Sequence, residues 1–326
     1  MGTSIVKYSK ENENQTSWGI LKGDSVYKIN HDFNHHSELM NKYFNHRDDF
    51  NGLVDETEIL SNSLNFHSPI SDNIQMFAQG LNYASHREEA GLKQDAEQEE
   101  NLVFCKHPSS LCGPNDDILR PQGVELLDYE IELGIILKKA IDKPTVVTDA
   151  NVGEYIGGLV LCNDVSARDL MFGGPMLQWF KGKSQRTFCP AGPVLFLLDE
   201  GDINQLYSLE LTLKMNGQIK QQASTQQLIH KPPKTLTDVS QYANFNIGDC
   251  VLTGTPGGVL GGKSLKVGLA IMLNLKNEKK RRQKFTAAQK SLATFLQPGD
   301  CLELEIKSVD GTIDLGKQKN MIAQAS

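Results

Sequence analysis

The chain has 326 residues, 39% hydrophobic and 22% charged, with a net charge of −7 and a pI near 5.7. This is an ordinary globular composition, long enough for one large domain and a small one, and its acidity excludes a general nucleic-acid binder. Six cysteines with no CxxC pair and no short regular spacing exclude a zinc ribbon or a disulfide framework.

"MGTSIVKYSKENENQ" lacks the apolar centre of a secretory signal, and Lys7 and its neighbours give Gly2 little support as a myristoylation site. No apolar run approaches the ~18 residues of a membrane span. A cytoplasmic protein with reduced thiols and no membrane contact is expected. Residues 1–72 read as a small N-terminal domain. In it, "SWGILKGDSVYKI" forms two strands around a Gly23-Asp24 turn, and residues 50–62 have helical potential. "HSPISDN" marks the boundary to a second domain, 73–326. There, short apolar runs between turns predict strands at 126–137, 156–163, 192–198, 207–214, 249–253 and 301–307. Helices are predicted near 83–91, 148–155 and 233–243. That mixture predicts an α+β fold, mainly β, without regular βαβ alternation. No internal repeat, GxGxxG or GxxxxGK[ST] motif supports nucleotide binding. "KNEKKRRQK" at 276–284 reads as a solvated insertion or an exposed helix start rather than a nucleic-acid patch.

The strand "LLDYEIELGIIL" carries Asp128, Glu130 and Glu132 on alternate positions, hence on one face, ~7 Å apart. At an effective dielectric of ~20, neighbouring carboxylates repel by roughly 2–3 kcal/mol, so a face turned into a pocket needs a positive partner. The next apolar run, "YIGGLVLCND", ends at Asp164. Convergence of Glu130, Glu132 and Asp164 would offer hard oxygen ligands suited to Mg2+, Mn2+ or Ca2+. A solvated strand face plus a turn aspartate fits the acids alone at least as well. In "GLNYASHREEAG", His86 and Glu89 share a helix face at i, i+3, as a general base with its orienting carboxylate or as an ordinary surface pair. The polar stretch "LKQDAEQEEN" after them suits a mobile loop. Lys183, between Gly182 and Ser184, could place an ammonium near a carboxylate, or lie on the surface. "TGTPGG" at 253–258 lets backbone approach a ligand, or is a tight turn.

Together and in order, "GLNYASHREE", "FCKHPSSLCGPNDDI", "LDYEIELGIIL", "GGLVLCNDVSARD", "WFKGKSQRTFCPAGP", "GDCVLTGTPGGV" and "LQPGDCLELEI" resemble the fumarylacetoacetate hydrolase family over roughly residues 76–320. The resemblance implies a mixed β-roll with Mg2+ or Mn2+, Ca2+ being a further option, held by Glu130, Glu132 and Asp164, and Asp128 beside them. It implies chemistry on a 2-oxo acid or 1,3-dicarbonyl compound, with His86 as base, Glu89 orienting it, Lys183 stabilising negative charge, and Tyr83, Arg168, Lys183 and Thr255 binding substrate. It also implies a homodimer. The place of a further aspartate in fumarylacetoacetase, in a "DYTDF"-like stretch, reads Leu81-Asn82-Tyr83, so the branch of acylpyruvate hydrolases, oxaloacetate decarboxylases and dienedioate isomerases fits better. Where members usually show "GKSFDTF" this chain has "GKSQRTF", exchanging an acid for Arg186. The leading expectation is a metal-dependent hydrolase of carbon–carbon bonds in acylpyruvate-like substrates. The alternatives are a decarboxylase or isomerase of a 2-oxo diacid, and a catalytically silent binding protein.

Overall fold

An apolar run with no polar face needs cover on both sides, and the central strands of this chain have it. The computed structural model describes residues 2–11, 13, 15–91, 100–173, 176–262 and 277–325. Ile131–Leu137 and Ile156–Asn163 are buried at every position. They lie in the middle of a large sheet. Its strand order is Val54–Leu60, Ser25–Ile29, Ser17–Lys22, Thr3–Lys10, Cys189–Leu197, Ile156–Asn163, Ile131–Leu137, Cys250–Leu252, Met76–Gly80 and Leu102–Lys106.

The two-residue period of a strand divides these side chains between two cores. Leu133, Ile135 and Leu137 join Leu211, Leu213, Leu302, Leu304 and Ile306 of a second sheet, built from Gln218–Ser224, Leu209–Met215, Cys301–Ser308, Asp314–Gln324 and Ile118–Arg120. On the other face Ile136, Val160 and Cys162 pack against Trp18, Leu39, Met40 and Tyr43 of the N-terminal segment. A Cβ at Gly134 would lie 2.7 Å from Val160 Cγ1, so only glycine fits that crossing.

The result is an α+β fold dominated by strand. Thr3–Lys10 pairs with both Ser17–Lys22 and Cys189–Leu197, which makes the N-terminal strands an extension of the central sheet. The helix expected at 50–62 is instead the strand Val54–Leu60, preceded by helices His36–Asn45 and Arg47–Asn51. Helix near 148–155 is confined to Val152–Tyr155. The run 126–137 is two strands, not one. Leu127–Asp128 pairs with Ser166–Ala167 in a small separate sheet, and Ile131–Leu137 begins after a break at Tyr129-Glu130. Nor is "KNEKKRRQK" a purely solvated insertion. From residue 277 onward it is described as the start of helix Glu278–Lys290, capped by the Asn277 side chain, with Arg281, Phe285 and Gln289 buried. The polar stretch after Gly91 lies, from 92 to 99, outside the described residues. Among the described residues no helix is long and apolar enough to cross a membrane, and all six cysteines are free thiols.

Candidate active site

Strand direction gathers the acids. Ile131–Leu137 runs antiparallel to both Ile156–Asn163 and Cys250–Leu252, and Cys250–Leu252 runs parallel to Met76–Gly80. The start of the first strand therefore meets the ends of the other three on one sheet edge. Glu130 and Glu132 come from that start, Asp164 from the end of Ile156–Asn163, Thr253–Gly258 from the end of Cys250–Leu252, and helix Ala84–Glu89 from the turn after Gly80. Leu81, in that turn, has φ +55, an uncommon conformation for a branched side chain. It lines the cavity.

The acids are buried rather than solvated. Asp128, Glu132 and Asp164 are fully inaccessible and Glu130 nearly so. One oxygen from each of Glu130, Glu132 and Asp164 lies within 4.8 Å of the others. Asp164 N–H donates to the Glu130 carbonyl at 2.8 Å, and the Glu130 N–H donates to Asn163 Oδ1 at 3.0 Å, fixing the two acids relative to each other. Lys183, which the sequence leaves open as a surface residue, is buried. Its Nζ donates to Glu130 Oε2 at 2.8 Å and Asp164 Oδ2 at 2.5 Å. Arg168 pairs with Glu130 Oε1 at 2.6 Å and Asp128 Oδ2 at 2.9 Å. Asp128 stands outside the triad, where it holds Arg168 and accepts from the N–H groups of Leu260 and Gly261.

Lys106 is a site residue that sequence reasoning missed. Its Nζ is fully buried, 2.8 Å from Asp164 Oδ1, and also donates to the Lys183 carbonyl. A lysine closing a short strand carries no local pattern that marks it as buried. Gln221 was equally silent. It accepts from Ile131 N–H and donates to Thr255 Oγ1 at 2.8 Å, which leaves the threonine proton free to donate elsewhere.

Four carboxylates, Asp128, Glu130, Glu132 and Asp164, face three cations, Lys106, Arg168 and Lys183. That leaves one acid, Glu132, with no ion pair among the described residues. Burial works against ionisation of Glu130, yet Lys183 and Arg168, with His86 adding, hold its pKa down to about 2. Burial, then Asp164 and Glu130, push Glu132 well above the ordinary carboxylate range. Glu132 Oε2 accepts from Gly254 N–H at 2.8 Å, but its buried Oε1 has no hydrogen-bond partner. An orphaned buried carboxylate oxygen beside two further acids, all hard donors, fits a divalent cation such as Mg2+ or Mn2+.

These groups border a cavity of about 340 Å3. Glu130, Arg168, Lys183, Thr255, His86 and Glu89 all line it. His86 Nδ1 lies 3.6 Å from Glu89 Oε2, outside hydrogen-bond range, while Glu89 Oε1 accepts from Gly258 N–H at 2.8 Å. Tyr83, expected to touch substrate, does not line the cavity. It is packed against Ala223 and Leu228; its hydroxyl has no partner, and burial, with Glu132 nearby, raises its pKa. Arg186 is exposed and outside the lining. Helix Glu278–Lys290, to which sequence gave no role, contributes Phe285 and Gln289 to the wall.

A family model described as fumarylacetoacetate (FAA) hydrolase C-terminal matches residues 75–323. The chain belongs to this family. Oxaloacetate tautomerase FAHD2A, mitochondrial, from Bos taurus is 33% identical over 208 residues, 64% of each chain, so the present chain spans under two thirds of that relative's length. A 2,4-didehydro-3-deoxy-L-rhamnonate hydrolase from Sphingomonas sp. is 34% identical over 258 residues, 78% of this chain and 75% of that one. Among solved structures, a fumarylacetoacetate hydrolase from Exiguobacterium antarcticum shares the fold with a TM-score of 0.74 at 24% identity, covering 99% of this chain and all of that one. A probable 2-hydroxyhepta-2,4-diene-1,7-dioate isomerase from Mycobacterium abscessus gives 0.72 at 24% identity, with both chains fully covered. The named relatives of this family fold thus include hydrolases, tautomerases and isomerases.

Proposed function

We propose that the chain is a divalent-metal-dependent hydrolase that cleaves a carbon–carbon bond in acylpyruvate-like 2-oxo acids. The observation that carries this reading is a buried acid triad with an unpartnered oxygen, whose Glu130 lines the same cavity as a histidine–glutamate pair. Glu130, Glu132 and Asp164 would hold the cation, which supplies Lewis-acid polarisation of the 2-oxo group and stabilises enolate charge. The rest falls to the chain's own side chains. His86 removes a proton from water, whose oxygen adds to the distal carbonyl; the carbon–carbon bond then breaks, and the proton returns to the pyruvate carbon. The products are a carboxylic acid and pyruvate. Glu89, held by Gly258 N–H, supports the imidazolium as it forms. Lys183 offsets negative charge at the reacting oxygens, and the free proton of Thr255 donates to the substrate carboxylate. Arg168 keeps Glu130 ionised and in place.

A second reading, keto–enol interconversion of a 2-oxo diacid, is favoured by the similarity to the bovine oxaloacetate tautomerase; it needs proton transfer at carbon without water attack. Enol absorbance of acetylpyruvate, longer acylpyruvates and oxaloacetate, followed with Mg2+, Mn2+ or chelator, tests both. Hydrolysis predicts loss of absorbance with release of a carboxylic acid, at least 100-fold slower with chelator or in Glu130→Ala. Enol loss without new acid would replace it with the tautomerase reading, and carbon dioxide release with a decarboxylase. We further propose the homodimer, supported by the exposed apolar Met176, Leu177 and Phe180, and a reducing compartment such as the cytoplasm, supported by six free thiols.

A further inference from the structure

The wall facing the acids is apolar. Phe104 and Trp179 meet edge to face with centroids 5.0 Å apart, Phe172 and Phe285 lie at 6.1 Å, and Met171 joins them. The two halves of the cavity abut directly, since Lys183 Nζ is 5.4 Å from the centre of the Phe104 ring. A substrate whose 2-oxo acid end sits at the triad therefore has its other end against aromatic carbon.

Charge decides what that other end can be. Among the described residues the cationic side chains lining the cavity are Lys183 and Arg168. Both stand at the acid end of the cavity, Lys183 on Glu130 and Asp164, Arg168 on Asp128 and Glu130. The remaining ionisable side chains on the wall are Glu89, partly exposed and of the same sign as a second carboxylate, and His86, whose imidazole already faces Glu89 at 3.6 Å. A carboxylate desolvated against aromatic rings with no free cation is strongly disfavoured, whereas an alkyl or aryl group gains from each carbon removed from water.

We infer that the substrate's distal acyl group is apolar, an alkyl or aryl chain, and does not end in a second carboxylate. This rests on the acylpyruvate reading for the orientation of the substrate, but not on the bond that is cleaved. The test is calorimetric binding to the Mg2+-loaded protein of two ligands with no bond to hydrolyse, 2-oxooctanoate and 2-oxosuberate, which differ in a terminal methyl against a terminal carboxylate. The monoacid is expected to bind at least tenfold tighter. Across shorter 2-oxo monoacids, affinity is expected to rise by about fourfold per methylene. Trp179→Ala and, independently, Phe285→Ala are each expected to reduce the monoacid-to-diacid ratio. Equal or tighter binding of the diacid, or binding of neither ligand, overturns the inference. Failure of acylpyruvate cleavage with the binding ratio intact overturns the hydrolase reading alone.

Discussion

Lys106 shows how much of this site is set by residues that never meet substrate. It caps one oxygen of Asp164 while Lys183 takes the other, so the carboxylate has no freedom to rotate. Removing one partner of a buried pair leaves an uncompensated charge, which typically costs about 3–5 kcal/mol. Lys106→Met is expected to lose stability in that range by chemical denaturation. Adding Asp164→Asn in the same background should recover part of the loss, because the orphaned charge is gone. Additive losses would mean that the two side chains do not act as a pair. Glu130, Glu132 and Asp164 were readable as a group because two apolar runs deliver them at their ends. Their three cations come from three separate stretches, and nothing in local spacing links those stretches.

At the level of elements, legibility followed burial. Cys189–Leu197, Leu209–Met215 and Cys301–Ser308 were found because a half-buried or fully buried strand leaves a plain apolar pattern. Residues 50–62 show helical potential because "VDETEIL", the strand Val54–Leu60, is an outer strand with no fully buried position. Its pairing with Ser25–Ile29, not its own period, makes it a strand. The basic helix Glu278–Lys290 has the exposed start that its sequence suggests, while its buried face escapes composition. Its exposed lysines dominate the composition, while Phe285 is sealed against Leu126 and Phe295. Two substitutions separate these faces. Phe285→Ala is expected to destabilise by about 3–5 kcal/mol in urea titration, and Lys279→Ala to change stability by no more than about 0.5 kcal/mol. Similar small effects from both would return the segment to a loosely attached insertion.

Across the whole molecule, His36 fastens the N-terminal segment to the sheet. Buried at the start of helix His36–Asn45, it donates from Nε2 to the Gly248 carbonyl at 2.9 Å and accepts Ser71 N–H at Nδ1. Gly248 has φ +91, and a Cβ there would lie 3.0 Å from that Nε2. Burial, then His35, lower the His36 pKa to about 3. A base depressed in the folded state favours folding above its unfolded pKa of about 6.5, and that stability is lost as pH falls toward 3. Wild type is therefore expected to lose about 1.2 kcal/mol more than His36→Gln between pH 6 and 5. Identical slopes in thermal or urea unfolding would show that His36 does not titrate there. The same whole-molecule view bears on the cavity. Its acids belong to the edge of the central sheet, whereas most of the aromatic wall belongs to helices, Arg168–Phe172, Trp179–Lys183 and Glu278–Lys290. Lineages sharing this scaffold can therefore exchange the helical side chains and change diet while inheriting the reaction intact, which is a structural route to one family carrying many substrate names.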